Sequence, residues 1–469
     1  MSDLAYASIA ELGARLRART LSPVELVEDL LSRIERRAEL GAFITVTAEA
    51  ALAQAAEAAE EIAAGRYRGP LHGIPVSLKD LIETRGIRTT CGSRILATHV
   101  PARDAAVAAR LREAGAILIG KTALHEFAYG VTTDNPHFGP TRNPWHVGRI
   151  PGGSSGGSGA AVAAGLGPAS LGTDTGGSIR IPAALCGVVG LKPSYGRVSR
   201  HGVFPLAWTL DHVGPLTRTV EDAALVLQAI AGADPGDPTT LGQDVPDFGA
   251  AVHRPVRGLR VGAPADAYHR VMAEDVRAAF EEALGVLRGL GIQLGEVRFP
   301  RPVEASIAHT AILMSEASSV HERWLRERPE DYGEDTRARL RRGQFVTATH
   351  YLRAQRTRAL VREEVDGLLG ASCAALVMPT TPCVAPAIGE ETALVGGARY
   401  DVRDALTRMT RLGNLLGLPA ITVPCGIGEG GLPVGLQLIG RAMDEQTILA
   451  IAHAYERETG WHTRHPEAP

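Results

Sequence analysis

Residues 152–182, GGSSGGSGAAVAAGLGPASLGTDTGGSIRIP, constrain the fold of this chain more than any other stretch. They contain two glycine-rich loops whose serines, Ser154 and Ser178, lie 24 positions apart. Between the loops, residues 160–164 have the composition of a buried helix of small residues, which a flexible linker would not need. Glycine permits positive φ angles and close backbone approach, so such loops can turn several N–H groups toward one anion. The segment therefore predicts a binding or catalytic site.

Length and charge exclude several classes of protein. The chain has 469 residues, of which 45% are hydrophobic, enough for a large buried core. Its net charge of −3 gives no basic footprint for nucleic acid or an anionic membrane, so we expect neither partner. We also expect no signal peptide or membrane span, because no apolar run approaches about 18 residues. The five cysteines are odd in number and lack metal-ligand spacing, which favours reduced thiols and a cytoplasmic location.

Lysine is rare in this chain: only three of its 49 basic residues are lysine. Because arginine serves at nearly every other cationic position, a remaining lysine is a candidate for a role that arginine cannot perform. A buried lysine can lose its proton and act as a base, whereas a guanidinium stays protonated. Lys79 follows an apolar strand predicted at 74–78, and ligands of open α/β sheets gather at the carboxyl ends of strands. We expect chemistry at Lys79 and structural roles for Lys121 and Lys192.

Helical and strand patterns alternate along the chain and predict a single α/β domain over 1–469. A helix starting at Ser22 has a capping box and proline at its first position. Residues 195–203 are predicted as short strands and turns, and 232–258 as a surface connection. Within the domain we expect N-terminal packing helices at 1–66, a catalytic core at 67–300, a helical cap that shapes the substrate site at 301–370, and the C-terminal part of the sheet at 371–469.

Two short motif matches do not predict cofactor sites. Residues 115–122, GAILIGKT, fit the phosphate-binding pattern G-x4-G-K-[ST]. In a phosphate-binding loop the four variable residues form a loop, but here Ala-Ile-Leu-Ile is a strong strand pattern, and its amides would be used in a sheet. The sequence HEFAY from His125 fails the zinc pattern H-E-x-x-H because its fifth residue is Tyr129. We therefore expect no nucleotide, metal or other cofactor.

Two loop serines and one lysine at a strand end are suited to acyl transfer. A serine hydroxyl needs a neighbouring base to act as a nucleophile, and lysine can be that base once burial has lowered its pKa. Residues 175–177 precede Ser178 and offer consecutive N–H groups for an oxyanion. Histidines such as His72 and His212 stay open as alternative bases, since no motif requires or excludes them.

Residues 152–182 resemble the signature of the amidase signature family, and the similarity extends to GIPVSLKD upstream and to CGVVGLKPSYGRVSRHGVFPLAWTLDHVGPLTRTVEDAA downstream. NLLGLPAITVPCG and LPVGLQLIGR near the end also resemble the family. The resemblance implies a mixed central β-sheet with helices on both faces, and hydrolysis of an amide C–N bond through an acyl-enzyme. It implies a nucleophile at Ser178, a proton relay at Ser154 behind a cis Gly153–Ser154 peptide, and a base at Lys79. It further implies oxyanion N–H groups at Thr175, Gly176, Gly177 and Ser178, supported by Ser155, Asp174 and Arg180.

The resemblance leaves two functional classes. One is a free-standing amidase acting on a small amide, urea or carbamate, and residues 125–165 resemble the branch that acts on urea- and biuret-like substrates. The other is the glutaminase (A) subunit of a tRNA-dependent amidotransferase. Such subunits usually carry an S-R-F-D-G-x-R-Y-G-like segment after A-E-A-S-S, whereas here SEASS at 315–319 precedes VHERWLRERPEDYG. This difference favours the free-standing amidase, with a small-molecule amide as substrate and a second copy of the chain as a candidate partner. The predicted substrate pocket includes Phe127, Tyr129, Phe204 and Trp208.

Overall fold

Capping boxes begin the first two helices of the computed structural model, which describes residues 4–299 and 301–467. In α1 (Ile9–Arg17) the Ser8 hydroxyl accepts from the Glu11 N–H, and the Glu11 carboxylate accepts from the Ser8 N–H. The box at Ser22 starts α2 (Pro23–Arg36), as the sequence predicts. The remaining helices are α3 (Ala48–Ala63), α4 (Ala106–Glu113), α5 (Gly156–Ala163), α6 (Arg180–Cys186), α7 (Val220–Ile230), α8 (Phe248–Ala251), α9 (Glu274–Gly289), α10 (Pro302–Glu327), α11 (Glu334–Gly343), α12 (Ala348–Gly367), α13 (Val402–Thr407), α14 (Arg411–Leu415) and α15 (Glu445–Thr459).

The central sheet is mixed and has 11 strands. The strands of the chain are β1 (Phe43–Val46), β2 (Pro75–Lys79), β3 (Ile117–Thr122), β4 (Asp134–Asn135), β5 (Gly139–Pro140), β6 (Ala169–Asp174), β7 (Val189–Lys192), β8 (His212–Thr217), β9 (Arg260–Pro264), β10 (Gln293–Val297), β11 (Ala375–Pro379), β12 (Thr392–Val395), β13 (Ala398–Asp401), β14 (Ala420–Ile427) and β15 (Pro433–Gly440). The sheet order is β1-β3-β2-β6-β8-β7-β14-β15-β11-β9-β10, and β4–β5 and β12–β13 form separate hairpins. β3, β2 and β6 are parallel, as are β11, β9 and β10, whereas the strands between these groups pair antiparallel.

Helices cover both faces of the sheet. Gly435 in β15 lies against Ala184 of α6, while Gly440 of the same strand lies against Ile448 of α15. Residues five apart in a strand point to opposite faces, so α6 and α15 lie on opposite sides. α5 packs with α6, and α7 and α9 pack with α15. This arrangement confirms the predicted mixed sheet between helical layers.

The charged segment 302–370 is helical, as predicted, and its helices α11 and α12 both pack on α10. α10 also contacts α14, which follows the C-terminal hairpin β12–β13. The division into four parts stays a prediction, and its boundary at residue 300 lies outside the described residues. No helix of the described ranges is both long and apolar enough to cross a membrane.

Two segments differ from the sequence-based expectation, and the strands β6 and β8 were not predicted. Residues 195–203 form turns with isolated bridges at Val198 and Val203 and contain no named strand. The connection 232–258 includes the short helix α8, whose Phe248 is fully buried. β6 and β8 lack a strong strand pattern, because glycine, proline, serine and threonine make up much of both segments. Pairing with neighbouring strands forms these two elements.

Candidate active site

The carboxyl ends of β2 and β6 meet at one edge of the sheet, because these strands are parallel neighbours. Lys79 is the last residue of β2, and Asp174 is the last residue of β6. β8 is antiparallel to β6 and pairs His212 with Asp174, so the loop before β8 reaches the same edge. Ser154 lies just before α5, and Ser178 lies just before α6. The topology thus carries both glycine-rich loops toward the strand end that holds Lys79.

Lys79 is fully buried, and its amine lies between two hydroxyl groups. Its Nζ is 2.7 Å from Ser154 Oγ and 2.8 Å from Thr173 Oγ1. Burial lowers the pKa of Lys79 to about 7, against the attraction of the Asp174 and Asp211 carboxylates. Near neutral pH a large share of this amine is therefore uncharged, and a neutral amine beside a hydroxyl can accept its proton.

Close backbone packing holds the loop that carries Ser154. The Gly153–Ser154 peptide is cis, as the family resemblance implies. In the first turn of α5, a Cβ on Gly157 would lie 2.4 Å from a backbone nitrogen of the neighbouring chain segment, so this position admits only glycine. The Ser155 hydroxyl donates to the Thr173 carbonyl at 3.1 Å. Ser155 therefore connects this loop to β6.

Ser178 ends a turn at 175–178, which we call the serine loop. Its side chain is 7% exposed, and its hydroxyl has no hydrogen-bond partner among the described residues. The N–H groups of Thr175, Gly176 and Ser178 also donate to no described acceptor. The Gly177 N–H differs from the expectation, because it donates to Asp174 Oδ1 at 2.8 Å. The available oxyanion donors are thus three of the four N–H groups that the resemblance implies.

Side chains from three distant segments hold the serine loop in place. Asp211 Oδ1 accepts from Thr175 Oγ1 at 2.6 Å, and the His309 Nε2–H donates to the Thr175 carbonyl at 2.8 Å. The Thr410 hydroxyl donates to the Gly176 carbonyl at 2.5 Å. Gly177 has a φ of +132°, and a Cβ there would lie 2.3 Å from the Thr410 hydroxyl oxygen. Glycine is required at this position both for its φ angle and for this contact.

A buried ion pair supports the serine loop from the adjoining helix α6. Arg180 donates to both carboxylate oxygens of Asp174, at 2.9 and 3.0 Å, and to side-chain oxygens of Asn414 and Gln437. All four side chains are fully buried. Burial opposes ionisation of Asp174, but the Arg180 guanidinium and the Asn414 amide outweigh it and hold the pKa of Asp174 well below its usual range. Asp174 is therefore a charged acceptor for the N–H groups of the loop.

Removing the cation of this pair is expected to destabilise the protein strongly. Arg180→Met leaves the Asp174 carboxylate buried without its counter-charge, and breaking a buried pair in this way costs about 3–5 kcal/mol. Urea unfolding followed by circular dichroism measures the loss. Arg270→Met is the matched control, because its pair with Glu296 is exposed and such pairs contribute about 0–1 kcal/mol. Equal unfolding midpoints for both variants would contradict this role of Arg180.

A narrow cavity of about 30 Å³, which we call the serine cavity, opens onto Ser178. Tyr129, Arg403 and Arg411 contribute to its wall. Arg411 pairs with the Asp404 carboxylate, whereas Arg403 has no carboxylate partner among the described residues. The Arg403 guanidinium carbon lies 5.4 Å from the centroid of the Tyr129 ring, and the Tyr129 hydroxyl is buried without a hydrogen bond to a described residue. The cavity thus presents beside Ser178 a buried hydroxyl and a guanidinium that has no direct ion pair with a described residue but is attracted at longer range by Asp335 and Asp404.

A second cavity, of about 230 Å³, adjoins the first, since Thr175 belongs to the walls of both. We call it the aspartate cavity, because Asp211 lies in its wall. Phe204 and Trp208, predicted for the substrate pocket, line this cavity and not the serine cavity. Phe127 lines neither: its ring is buried in an aromatic cluster, in contact with Phe204, His321, Trp324 and Tyr332. Of the four predicted pocket residues, Tyr129 alone is placed beside Ser178.

The other two lysines and the alternative base His212 lie in other surroundings. Lys121 donates to the Ile82 carbonyl and the Thr89 hydroxyl, each at 2.7 Å, and Lys192 donates to two backbone carbonyls. The His212 Nδ1–H donates to a carbonyl at 2.7 Å, and burial lowers the pKa of this histidine well below its ordinary value. None of the three hydrogen-bonds to Ser154 or Ser178, and neither does the other alternative base, His72, whose Nε2 lies 3.1 Å from a Glu61 carboxylate oxygen. Among these groups Lys79 alone hydrogen-bonds to a loop serine, so the prediction that it is the base fits the geometry.

Several groups around the serine loop were not singled out by sequence patterns. Asp211 had a usable signal, because it lies in TLDHVGP within the family-like stretch. No sequence signal pointed to His309, Arg403 or Thr410. All three lie after residue 300, where little of the sequence resembles the family. Their contacts with the serine loop and its cavity are visible only in three dimensions.

Comparison with known proteins adds to this geometry. The family profile described as Amidase matches residues 25–449. The chain belongs to the amidase signature family. It is a C–N hydrolase of the amidase type. It is similar to the A subunit of the Glutamyl-tRNA(Gln) amidotransferase of Roseiflexus sp. (strain RS-1). The two chains are 43% identical over 500 residues, and the match covers 100% of each chain. A solved chain from a vestigial complex that reveals the origins of an s-triazine catabolic enzyme has a TM-score of 0.93 and 37% identity, covering 98% of this chain and 100% of that one. The solved A subunit of the Glutamyl-tRNA(Gln) amidotransferase from Thermotoga maritima has a TM-score of 0.81 and 37% identity, covering 97% and 96%.

These relatives contradict the expectation that nucleic acid has no part in the function. Curated relatives at 41–43% identity are named as A subunits of Glutamyl-tRNA(Gln) amidotransferases, which gives those proteins a tRNA substrate and further subunits. The expectation was drawn from the net charge of −3. Net charge reports on the whole chain and cannot exclude a nucleic-acid substrate that reaches an assembly through other subunits. The relatives also fit the amidotransferase class better than the favoured free-standing amidase.

Proposed function

We propose that this amidase hydrolyses the side-chain amide of glutamine and releases ammonia as the glutaminase component of a tRNA-dependent amidotransferase. The observation that carries the proposal is the end-to-end match with a curated glutamyl-tRNA amidotransferase chain at 43% identity. In such an assembly the ammonia would pass to a partner that amidates a glutamyl-tRNA, and a cytoplasmic location is part of the proposal.

In the proposed reaction Ser178 Oγ attacks the amide carbon. Its proton moves to Ser154 Oγ, and the Ser154 proton moves to the Lys79 amine 2.7 Å away. The free N–H groups of the serine loop would stabilise the oxyanion that forms on the carbonyl oxygen. When the C–N bond breaks, the relay returns a proton to the nitrogen, and ammonia leaves. Water then hydrolyses the acyl-enzyme with Lys79 again as the base.

The cations of the serine cavity support a substrate that carries a carboxylate. Arg411 is already neutralised by Asp404 at 2.6 Å, so it adds little net charge. Arg403 is half-buried and has no described carboxylate partner, which leaves its guanidinium able to pair with an anionic ligand. The Tyr129 hydroxyl lies beside it and can donate to the same ligand. Glutamine has a carboxylate and an amide in one small molecule.

Ammonia release from glutamine and from butyramide, which lacks the carboxylate, tests this proposal. The purified chain is assayed alone and together with the proteins that co-purify with it. Arg403→Met should lower kcat/KM for glutamine about 10- to 100-fold, because hydrogen bonds to charged groups contribute about 1.5–3 kcal/mol. It should leave hydrolysis of butyramide unchanged. Arg399→Met, on the exposed hairpin strand β13, is the matched control. Wild-type protein that hydrolyses butyramide but never glutamine would contradict the proposal.

Hydrolysis of another small amide, urea or carbamate is the second candidate function. The helix α10 favours it, because the segment after 315–319 continues as helix to Glu327. His321 and Trp324 of that segment pack on Phe127, away from the serine cavity. The glutamine-binding segment usual in the amidotransferase class is therefore replaced by a structural helix. The same assay, extended to ureas and carbamates, separates the two functions.

A further inference from the structure

Asp211 is a buried carboxylate that joins the serine loop to the loop before β8. One of its oxygens accepts from the Thr175 hydroxyl at 2.6 Å. The other accepts from the backbone N–H groups of Leu206 and Ala207 at 2.9 and 3.0 Å. Asp211 is only 9% exposed. Its two oxygens accept from donors in two different loops. The carboxylate holds these loops at a fixed separation.

Thr175 is the residue through which this carboxylate can affect catalysis. The N–H groups of Thr175 and Gly176 are two of the three N–H groups available to an oxyanion. Its carbonyl accepts from His309 and its side chain donates to Asp211, so the residue is held on both sides. Loss of either contact would let the peptide planes of the loop rotate. A rotation of this kind moves the N–H groups away from the position of the oxyanion.

We propose that Asp211 is a positioning residue that acts through the Thr175 hydroxyl and fixes the orientation of the N–H groups that receive the oxyanion. The inference rests on the acyl-enzyme chemistry of the proposed function, but it does not depend on which amide is the substrate. A charged carboxylate is needed, because a charge-assisted hydrogen bond is shorter and stronger than a neutral one. Asparagine at 211 keeps the shape and loses the charge.

The aspartate cavity connects Asp211 with solvent, so its charge depends on pH. Burial raises the pKa of Asp211 to about 6, against the hydrogen bond from Thr175 and the nearby Arg200. Asp211 is therefore charged above about pH 6, whereas Lys79 is neutral above about pH 7. Acidification protonates both groups, so the slope of log kcat against pH should steepen from about 1 toward about 2 over the one to two pH units below about pH 6, and it should stay near about 1 in Asp211→Asn. The titratable and charged groups that face Asp211 are Lys79, Arg200, His201, His212 and Asp237.

The test compares Asp211→Asn with the wild type in two assays. On whichever amide the wild type hydrolyses, kcat should fall about 10- to 100-fold with little change in KM, because oxyanion donors act in the transition state. The second assay is the rate at which a fluorophosphonate modifies Ser178: the Oγ–phosphorus bond forms, fluoride leaves, and the phosphoryl oxygen occupies the oxyanion position. This rate should fall by a similar factor. It reports on Asp211 even if glutamine proves not to be the substrate.

Two further variants make the result decisive. Asp237→Asn changes another carboxylate of the aspartate cavity that does not hydrogen-bond to the serine loop, and its kcat above about pH 8, where Asp211 is charged with or without the Arg200–Asp237 pair, should match the wild type. Thr175→Val removes the same hydrogen bond from its other side, so Asp211→Asn combined with Thr175→Val should be no slower than either variant alone. Additive losses, or a loss confined to KM or thermal stability, would overturn the inference. If Asp211→Asn does not fold, Thr175→Val decides by its kcat and by its fluorophosphonate rate.

Discussion

Ser178→Ala is expected to abolish amide hydrolysis. The Ser178 hydroxyl opens onto the serine cavity and has no described hydrogen-bond partner, so it is the loop hydroxyl available to a substrate. Without it no acyl-enzyme can form, and only substrate binding and the oxyanion N–H groups would act, a residual acceleration of about 10³–10⁴ over water. Ammonia release measures the loss, and mass spectrometry after fluorophosphonate treatment should find no adduct.

Two serines of the same segment serve as comparisons. Ser154→Ala should keep a small residual activity, because a relay hydroxyl can be replaced in part by water. Ser158→Ala should keep wild-type activity, since the Ser158 hydroxyl lies 2.8 Å from that of Thr122 and contacts neither Lys79 nor Ser178. Wild-type rates in Ser178→Ala would exclude the acyl-enzyme mechanism.

Elements whose ends depend on nearby residues were predictable from the sequence. The capping box at Ser22 involves side chains and N–H groups within one turn, so the pattern contains all the interacting groups. The strand predicted within the match to a phosphate-binding loop is also confirmed. GAILIGKT lies almost entirely in β3, and its Lys121 is buried against the Ile82 carbonyl and the Thr89 hydroxyl.

The support of the serine loop was not predictable in this way. Thr175 hydrogen-bonds to Asp211 and His309, which lie 36 and 134 positions away in the sequence. The Gly176 carbonyl accepts from Thr410, which lies 234 positions away. Thr175 directly follows β6, and Asp211 directly precedes β8. Both segments form strands because they pair with each other, although their composition does not favour strands. For Phe127 the sequence-based prediction was wrong. Its position near the signature segment suggested a place in the pocket wall, whereas its ring packs in an aromatic cluster.

Reaction chemistry was easier to predict than partners. The signature segment at 152–182 predicted the amidase class, and the family profile confirms it, whereas the roles of Ser178, Ser154 and Lys79 stay predictions. Substrate and partners depend on surfaces assembled from many segments. The net charge of −3 averages over all of them, which is why it suggested the wrong conclusion about nucleic acid.

Lys79→Arg is expected to be as damaging as Lys79→Ala, although arginine keeps the positive charge. The amine lies 2.7 Å from Ser154 Oγ in a fully buried site, where it must accept a proton. A guanidinium stays protonated at any working pH and cannot do so. In the wild type, kcat should rise with pH through about 7, because the neutral amine is present above that pKa. A stopped ammonia assay between pH 5 and 9 measures both effects.

Lys121→Arg and Lys192→Arg are the matched controls, because both lysines are equally buried and neither contacts a loop serine: Lys192 donates to backbone carbonyls, and Lys121 donates to a carbonyl and a hydroxyl and pairs with Asp80 at 3.6 Å. Arginine can still donate to the same acceptors, so these variants should keep substantial activity per folded molecule even where the larger side chain lowers stability. Near-wild-type activity of Lys79→Arg would make Lys79 an electrostatic residue. The base would then have to be a histidine, yet His212 and His309 hydrogen-bond to backbone carbonyls and to neither loop serine. A histidine base would therefore require the serine loop to rearrange before reaction, and the lysine needs no such movement.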